Sequence, residues 1–143
     1  ALHNFKLAGQ IPSTITNLNK ITLFDLASNQ IPGSIPAGVS VLSLLKYLGI
    51  NNNALTGGIP TEIGSLTSLT ALYLNVNSLS GTIPSTISKL TALSILSLSS
   101  NLITGAIPPG ISLLKALSIL DLSSNQHSGT IPSGFSTLSL LTI

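Results

Sequence analysis

The chain's two tyrosines, Tyr47 and Tyr73, each stand within four residues of an asparagine, Asn51 and Asn75, and Lys46 precedes the first of them. Tyrosine offers a large flat contact area with a polar tip and is enriched at binding hot spots. With amides and an ammonium nearby, such a group can stack on a sugar or clamp a peptide. Lys46, Tyr47, Asn51, Tyr73 and Asn75 are therefore the candidate ligand-binding residues.

Residues for bond-breaking chemistry are sparser. The acids are Asp25, Glu62 and Asp121, and the imidazoles are His3 and His127. Asp25 and Asp121 fall four periods apart in the repeat described below, roughly 19 Å at parallel-strand spacing. Paired acid–base work needs both carboxyls at one bond. His3 and His127 are about five periods apart and cannot share a metal. Glu62 has no histidine near it in the pattern. Gly57-Gly58 runs into Ile-Pro-Thr-Glu-Ile with no following Lys-Ser/Thr, so there is no phosphate loop. Cysteine is absent, which excludes disulfides and thiolate zinc sites. No catalytic residue, metal or cofactor is expected, and an enzyme is not expected.

Composition narrows the partners. The mean hydropathy of +0.60 is high for a chain with 6% charged residues. Yet Lys46, Lys115 and Asp121 interrupt the richest apolar runs, and no stretch of transmembrane length remains. The net charge of +2 comes from scattered lysines without a basic run, so nucleic-acid binding is not expected. Ser and Thr number 37, which predicts a hydroxyl-rich surface.

The elements that must position these residues follow from a strict repeat. Ile-Pro recurs every 24 residues: Ile11-Pro12, Ile35-Pro36, Ile59-Pro60, Ile83-Pro84, Ile107-Pro108 and Ile131-Pro132. A fixed period of this length marks a solenoid. Two residues before each pair is a glycine, from Gly9 to Gly129. Four residues before five of these glycines is an asparagine: Asn29, Asn53, Asn77, Asn101 and Asn125. The first coil has Phe5 in that column. Aliphatic residues nine and seven before the glycine, such as Leu72 and Leu74, alternate with outward positions, the period of a short strand. Stacked coils then pair these strands into a parallel sheet. The asparagine turns the chain out of the strand, and its amide can satisfy backbone groups of neighbouring coils. Proline suits an extended segment on the back of each coil. The glycine is expected in a conformation closed to residues with a Cβ.

The run LTALYLNVNSLSGTIPSTISKL resembles the plant-type leucine-rich repeat, and the likeness extends over essentially the whole chain. The resemblance implies an α/β-type solenoid, a superhelix of about six 24-residue coils forming one domain over residues 1–143. Short parallel strands would line the concave face, with irregular or 3-10 segments on the convex face. It also implies an extracellular or cell-surface recognition module for a protein, peptide or cell-wall glycan, as in receptor-like kinase ectodomains and polygalacturonase inhibitors. A plant antifreeze solenoid shares the coil. Ice binding is therefore the alternative, through the hydroxyl columns Thr56, Ser80, Thr104, Ser128 and Ser34, Gly58, Thr82, Ala106, Thr130. These columns mix residue types, which a flat lattice match would not favour.

The chain departs from the family in lacking cysteine-stapled caps and Asn-x-Ser/Thr sequons and in its low charge. The last coil reads as an interior one and stops at Ile143, where its strand should begin. A fragment of a longer solenoid without its capping repeats is expected, with head-to-tail stacking into a filament as the sharper alternative. On the concave face the outward columns are Leu23, Tyr47, Ala71, Ile95, Ile119, then Asp25, Gly49, Tyr73, Ser97, Asp121, then Ala27, Asn51, Asn75, Ser99, Ser123. His127 occupies a column otherwise held by Leu7, Ile31, Leu55, Leu79 and Ile103, and reads as a tolerated substitution rather than a ligand.

Overall fold

A computed structural model describes residues 1–142. Ile143, the position at which the sequence starts the last strand, lies outside the described residues. The second to sixth coils each run strand, turn, second short strand, extended Ile-Pro and 3-10 turn, whereas the first carries the Ile-Pro and 3-10 turn without an assigned strand. The strands are β1 (Leu23–Asp25), β2 (Pro32–Gly33), β3 (Tyr47–Gly49), β4 (Ala54–Gly58) and β5 (Ala71–Tyr73). They continue as β6 (Ser78–Ser80), β7 (Ile95–Ser97), β8 (Thr104–Gly105), β9 (Ile119–Asp121) and β10 (Gln126–His127).

The concave sheet has the order β1-β3-β5-β7-β9, all parallel. Its register equals the sequence repeat: Phe24, Leu48, Leu72, Leu96 and Leu120 face one another in sequence. These leucines are buried, apart from half-buried Phe24, and the other aliphatic columns close over them from behind. Truncating one such residue to alanine would cost about 2–5 kcal/mol.

The back of each coil is set by proline. Pro12, Pro36, Pro60, Pro84, Pro108 and Pro132 have φ between −58° and −73° with extended ψ, and each precedes a 3-10 turn. The missing N–H costs nothing at a helix start. Among the described residues no helix is long and apolar enough to cross a membrane.

Three features depart from the expected coil. A second set of parallel ladders, β2-β4-β6 and β8-β10, follows the asparagine turn where only irregular chain was expected. Its partners are 22 residues apart, not 24, as in Pro32↔Ala54 and Thr56↔Ser78. Two-residue staggers of this kind leave no trace in a column alignment. Second, the glycine rule holds for five coils: Gly33, Gly57, Gly81, Gly105 and Gly129 have φ from 74° to 83°, but Gly9 does not share this conformation. Third, the core columns thin out in the outer coils. Leu2 is 52% exposed and Ile131 73%, whereas Leu74 is fully buried and Ile83 is 3% exposed. An outer coil has a neighbour on one side only, so the same residue type covers less surface. Apolar cavities of about 390 and 560 Å³ sit at the two ends of the core, the first beside Ile11 and Phe24, the second beside Leu120 and Phe135.

The asparagine column forms a ladder. Asn77 Nδ2 donates to the carbonyls of Ile50 and Leu74, both at 3.1 Å, and its Oδ1 accepts from the Leu55 N–H at 3.0 Å. Asn53, Asn101 and Asn125 repeat this arrangement. In the second coil Asn29 Oδ1 accepts from both the Phe5 and the Leu7 N–H of the first. Each amide thus bonds backbone groups in its own coil and the one before, where the turn breaks both ladders.

Candidate functional site

The concave sheet carries the candidate residues because its outward positions alternate with the buried leucines. In β3 and β5 the outward residues are Tyr47, Gly49, Ala71 and Tyr73, with Gly49 directly paired to Tyr73. The two rings meet at a centroid distance of 5.6 Å and an interplanar angle of 41°. That is within the range of favourable tilted aromatic pairs.

Gly49 makes this contact possible. A Cβ there would lie 2.7 Å from Tyr47 Cε1, 2.9 Å from its hydroxyl oxygen and 3.1 Å from Cζ. The Tyr47 ring therefore lies along its own strand, across the bare backbone of Gly49, and reaches the ring of the next coil. Any side chain in that place would lift it. Gly49 has no positive φ, so the requirement is space, not backbone freedom.

On the other side Gly49 pairs with Asp25 of β1. The Tyr47 phenol tip is thus flanked by Asp25 on one strand and Tyr73 on the other. Burial, then the Asp25 carboxylate, then Tyr73 push the Tyr47 phenol pKa up from 10.0. Asp25 Oδ1 accepts the Ala27 N–H at 3.0 Å, the one hydrogen bond of its carboxylate among the described residues. The sequence alone presents Asp25 only as a counterpart of Asp121 and Gly49 only as a member of an outward column. The signal that could have found both was their place beside a tyrosine in a register of 24.

The asparagines lie one outward step further along the same strands. The backbone ladder continues there, with Asn52 N–H donating to Asn75 O and Ser28 N–H to Asn51 O. Asn51 and Asn75 are half-buried neighbours, and the Asn75 Oδ1 is buried with no hydrogen-bond partner among the described residues. Lys46 is exposed at the start of β3, on the far side of Tyr47 from Gly49. It interrupts a column of hydroxyls, Thr22, Thr70, Ser94, Ser118 and Thr142, that the sequence reading passed over. Thr70 Oγ1 donates to Lys46 O at 2.9 Å, and Ser118 Oγ to Ser94 O at 3.1 Å. The structure thus brings the tyrosines together, sets the asparagines beside them and leaves Lys46 at the rim.

The rest of the face is quieter. The apolar outward column is exposed at Leu23 and Ile119 and half-buried at Tyr47, Ala71 and Ile95. Asp121 is held by its own serines. Ser123 Oγ donates to Oδ1 at 2.7 Å and Ser123 N–H at 3.1 Å. The Ser123 and Ser99 hydroxyls, with that N–H, lower the Asp121 pKa below the usual carboxylate value, against the opposing effect of burial. Of the hydroxyls considered for ice, Thr56 and Thr104 donate to Gly33 O and Gly81 O, so these donors are turned onto the backbone. His127 is half-buried, with Nδ1 3.3 Å from Gly105 O and Nε2 without a partner among the described residues.

Comparison with known proteins gives a consistent result. A leucine rich repeat family model matches residues 67–127 and a second one matches residues 44–66. No curated protein sequence matches. Among solved structures, the ectodomain of the Arabidopsis receptor kinase HAESA, in complex with an N-terminally extended IDA peptide hormone, superposes with a TM-score of 0.94 at 39% identity. The match covers 98% of this chain and 24% of that one. The Arabidopsis thaliana GASSHO1/SCHENGEN3 ectodomain, in complex with CASPARIAN STRIP INTEGRITY FACTOR 2, gives 0.92 at 41% identity over 94% of this chain and 16% of its own. The chain therefore spans a quarter or less of the length of these two ectodomains. A structure of the Arabidopsis thaliana BIR3–SERK2 complex gives 0.80 at 39% identity, covering 90% of this chain and 68% of the matched one.

Proposed function

From the premise that this chain belongs to the plant-type leucine-rich repeat family, we propose that it is a non-enzymatic recognition module that binds an extended peptide or protein segment outside the cell through its concave sheet. The observation that carries this reading is the tilted Tyr47–Tyr73 ring pair, with the Tyr47 ring laid across Gly49. A rigid aromatic platform on a regular sheet binds with little ordering cost, because its rings are held before the ligand arrives. Lys46, Asn51 and Asn75 are the polar contacts around it. The likeness to an ectodomain solved with a peptide hormone supports a peptide over a glycan.

The test is selection of displayed random peptides on the wild-type chain, followed by binding to a Tyr47→Ala/Tyr73→Ala double variant. Both rings are half-buried on an outward face, so the variant should keep its fold by circular dichroism. Selected peptides should lose most of their affinity for it. A selection that yields no binder, or binders indifferent to the double variant, would refute the reading.

A further inference from the structure

We propose that the Asp25–Tyr47–Gly49–Tyr73 platform is a subsite for a cationic side chain, a guanidinium or an ammonium, carried by the extended peptide. This rests on the recognition reading above and adds the chemistry of one ligand residue to it.

Three observations converge on a cation. The first is the paired rings. Two tyrosine faces tilted by 41° with centroids 5.6 Å apart present electron-rich surface to whatever sits on them, and cations are attracted to such faces. The second is the carboxylate. Asp25 and Tyr73 are the two ladder partners of Gly49, one strand away on either side, roughly 4.8 Å each. The Tyr47 hydroxyl lies over Gly49 between them. A guanidinium stacked on the rings therefore has an acceptor beside it. The third is that this acceptor is available: Asp25 is half-buried, and among the described residues only Oδ1 of its carboxylate is engaged, by the Ala27 N–H. The upward push that Asp25 exerts on the Tyr47 phenol agrees with a negative field over the ring.

Lys46 does not cancel that field. It sits three residues before Gly49, roughly 10 Å along the strand, which is about one Debye length at moderate salt. Its distance instead gives the site a direction. A basic residue on the platform would place a ligand acid two or three residues along the peptide within reach of Lys46. Asp121 at the other end of the sheet is a different case. Its carboxylate is bonded by the Ser123 hydroxyl and N–H, and the outward column beside it holds Ile95 and Ile119 rather than tyrosine.

The experiment uses two serine-flanked, end-blocked peptides that differ only in a central arginine or its neutral isostere citrulline. Their binding is followed by the ring NMR signals of Tyr47 and Tyr73, the only tyrosines in the chain. The arginine peptide should move both rings and bind about two- to fivefold more tightly than the citrulline one, the range of an exposed cation–π contact. Asp25→Asn keeps an Oδ1 for the Ala27 N–H, so the turn survives, and it should reduce the preference while leaving the part that the rings supply. Equal shifts from citrulline, a preference undiminished in Asp25→Asn, or no ring shift at millimolar peptide would each overturn the inference. Displayed peptides that need the tyrosines but carry no basic residue would overturn it too, while leaving the recognition reading in place. Arginine binding without any selected peptide would support the subsite and sink the broader reading.

Discussion

Replacing Gly49 by alanine should uncouple the platform from the stability of the sheet. The new Cβ would meet Tyr47 Cε1 at 2.7 Å and the hydroxyl oxygen at 2.9 Å. Ordinary carbon contacts begin at about 3.5 Å. The ring must therefore move by roughly 0.8 Å or more, and it can, because it is the far end of a side chain on an open face. The tilted contact with Tyr73 is then strained or lost, at about 0.5–1.5 kcal/mol. Against this, alanine restricts the unfolded chain more than glycine, a gain of about 0.4–1 kcal/mol where the backbone is compatible. Gly49 has an ordinary φ, so that gain applies. The two terms nearly cancel. Urea unfolding should change by less than about 1 kcal/mol, while ring-to-ring NOEs between Tyr47 and Tyr73 disappear and peptide affinity falls. Intact ring NOEs in Gly49→Ala would refute the assignment of Gly49 as the seat of the platform. A large loss of stability would refute it as well, since it would mean that the ring cannot move. Gly64 is the contrast: a Cβ there meets the Thr86 backbone carbonyl oxygen at 2.6 Å, and no rotamer can relieve that.

Other expectations follow from single contacts. Asn101→Ala removes bonds to Leu74 O, Leu98 O and Leu79 N–H in a residue that is 6% exposed. At about 1–3 kcal/mol per stranded buried group, the loss in urea unfolding should be about 3 kcal/mol or more; a loss below 1 would mean water replaces the amide. Val76 is a β-branched residue at φ 56°, a conformation that disfavours it. Val76→Asn, the residue type of the equivalent Asn52, should stabilise unglycosylated protein by about 1 kcal/mol, and unchanged unfolding would show the strain is not stored there. Asp121 has a lowered folded pKa. Its contribution to stability is therefore present above the unfolded value near 3.8 and is lost as pH falls through the lower folded value. Carboxyl NMR titration should show Ser123→Ala raising that pKa, and no change would remove the hydroxyl as its cause.

Much of this protein was legible in its sequence because a solenoid repeats one local problem. Each Leu or Ile column must be buried in every coil, so the period of Ile11-Pro12 through Ile131-Pro132 determined the fold, the parallel register of 24 and the buried leucines. The asparagine column could be assigned a backbone-bonding part because its turn leaves amides and carbonyls that nothing else nearby can satisfy. The candidate face was legible too, since outward positions alternate with inward ones along a strand.

What repetition does not carry had to come from the tertiary structure. The second ladder, whose partners are 22 rather than 24 residues apart, depends on how coils lean on one another. The positive φ shared by Ser28, Asn52, Val76, Ser100 and Ser124 has no common residue type to announce it. The weak burial of Leu2 and Ile131 arises from having one neighbouring coil instead of two. The platform itself combines a rotamer of Tyr47, an absent side chain at Gly49 and residues from three strands. Columns report what every coil must satisfy on average, whereas a site is made where particular neighbours differ, and only the packed chain sets which differences touch.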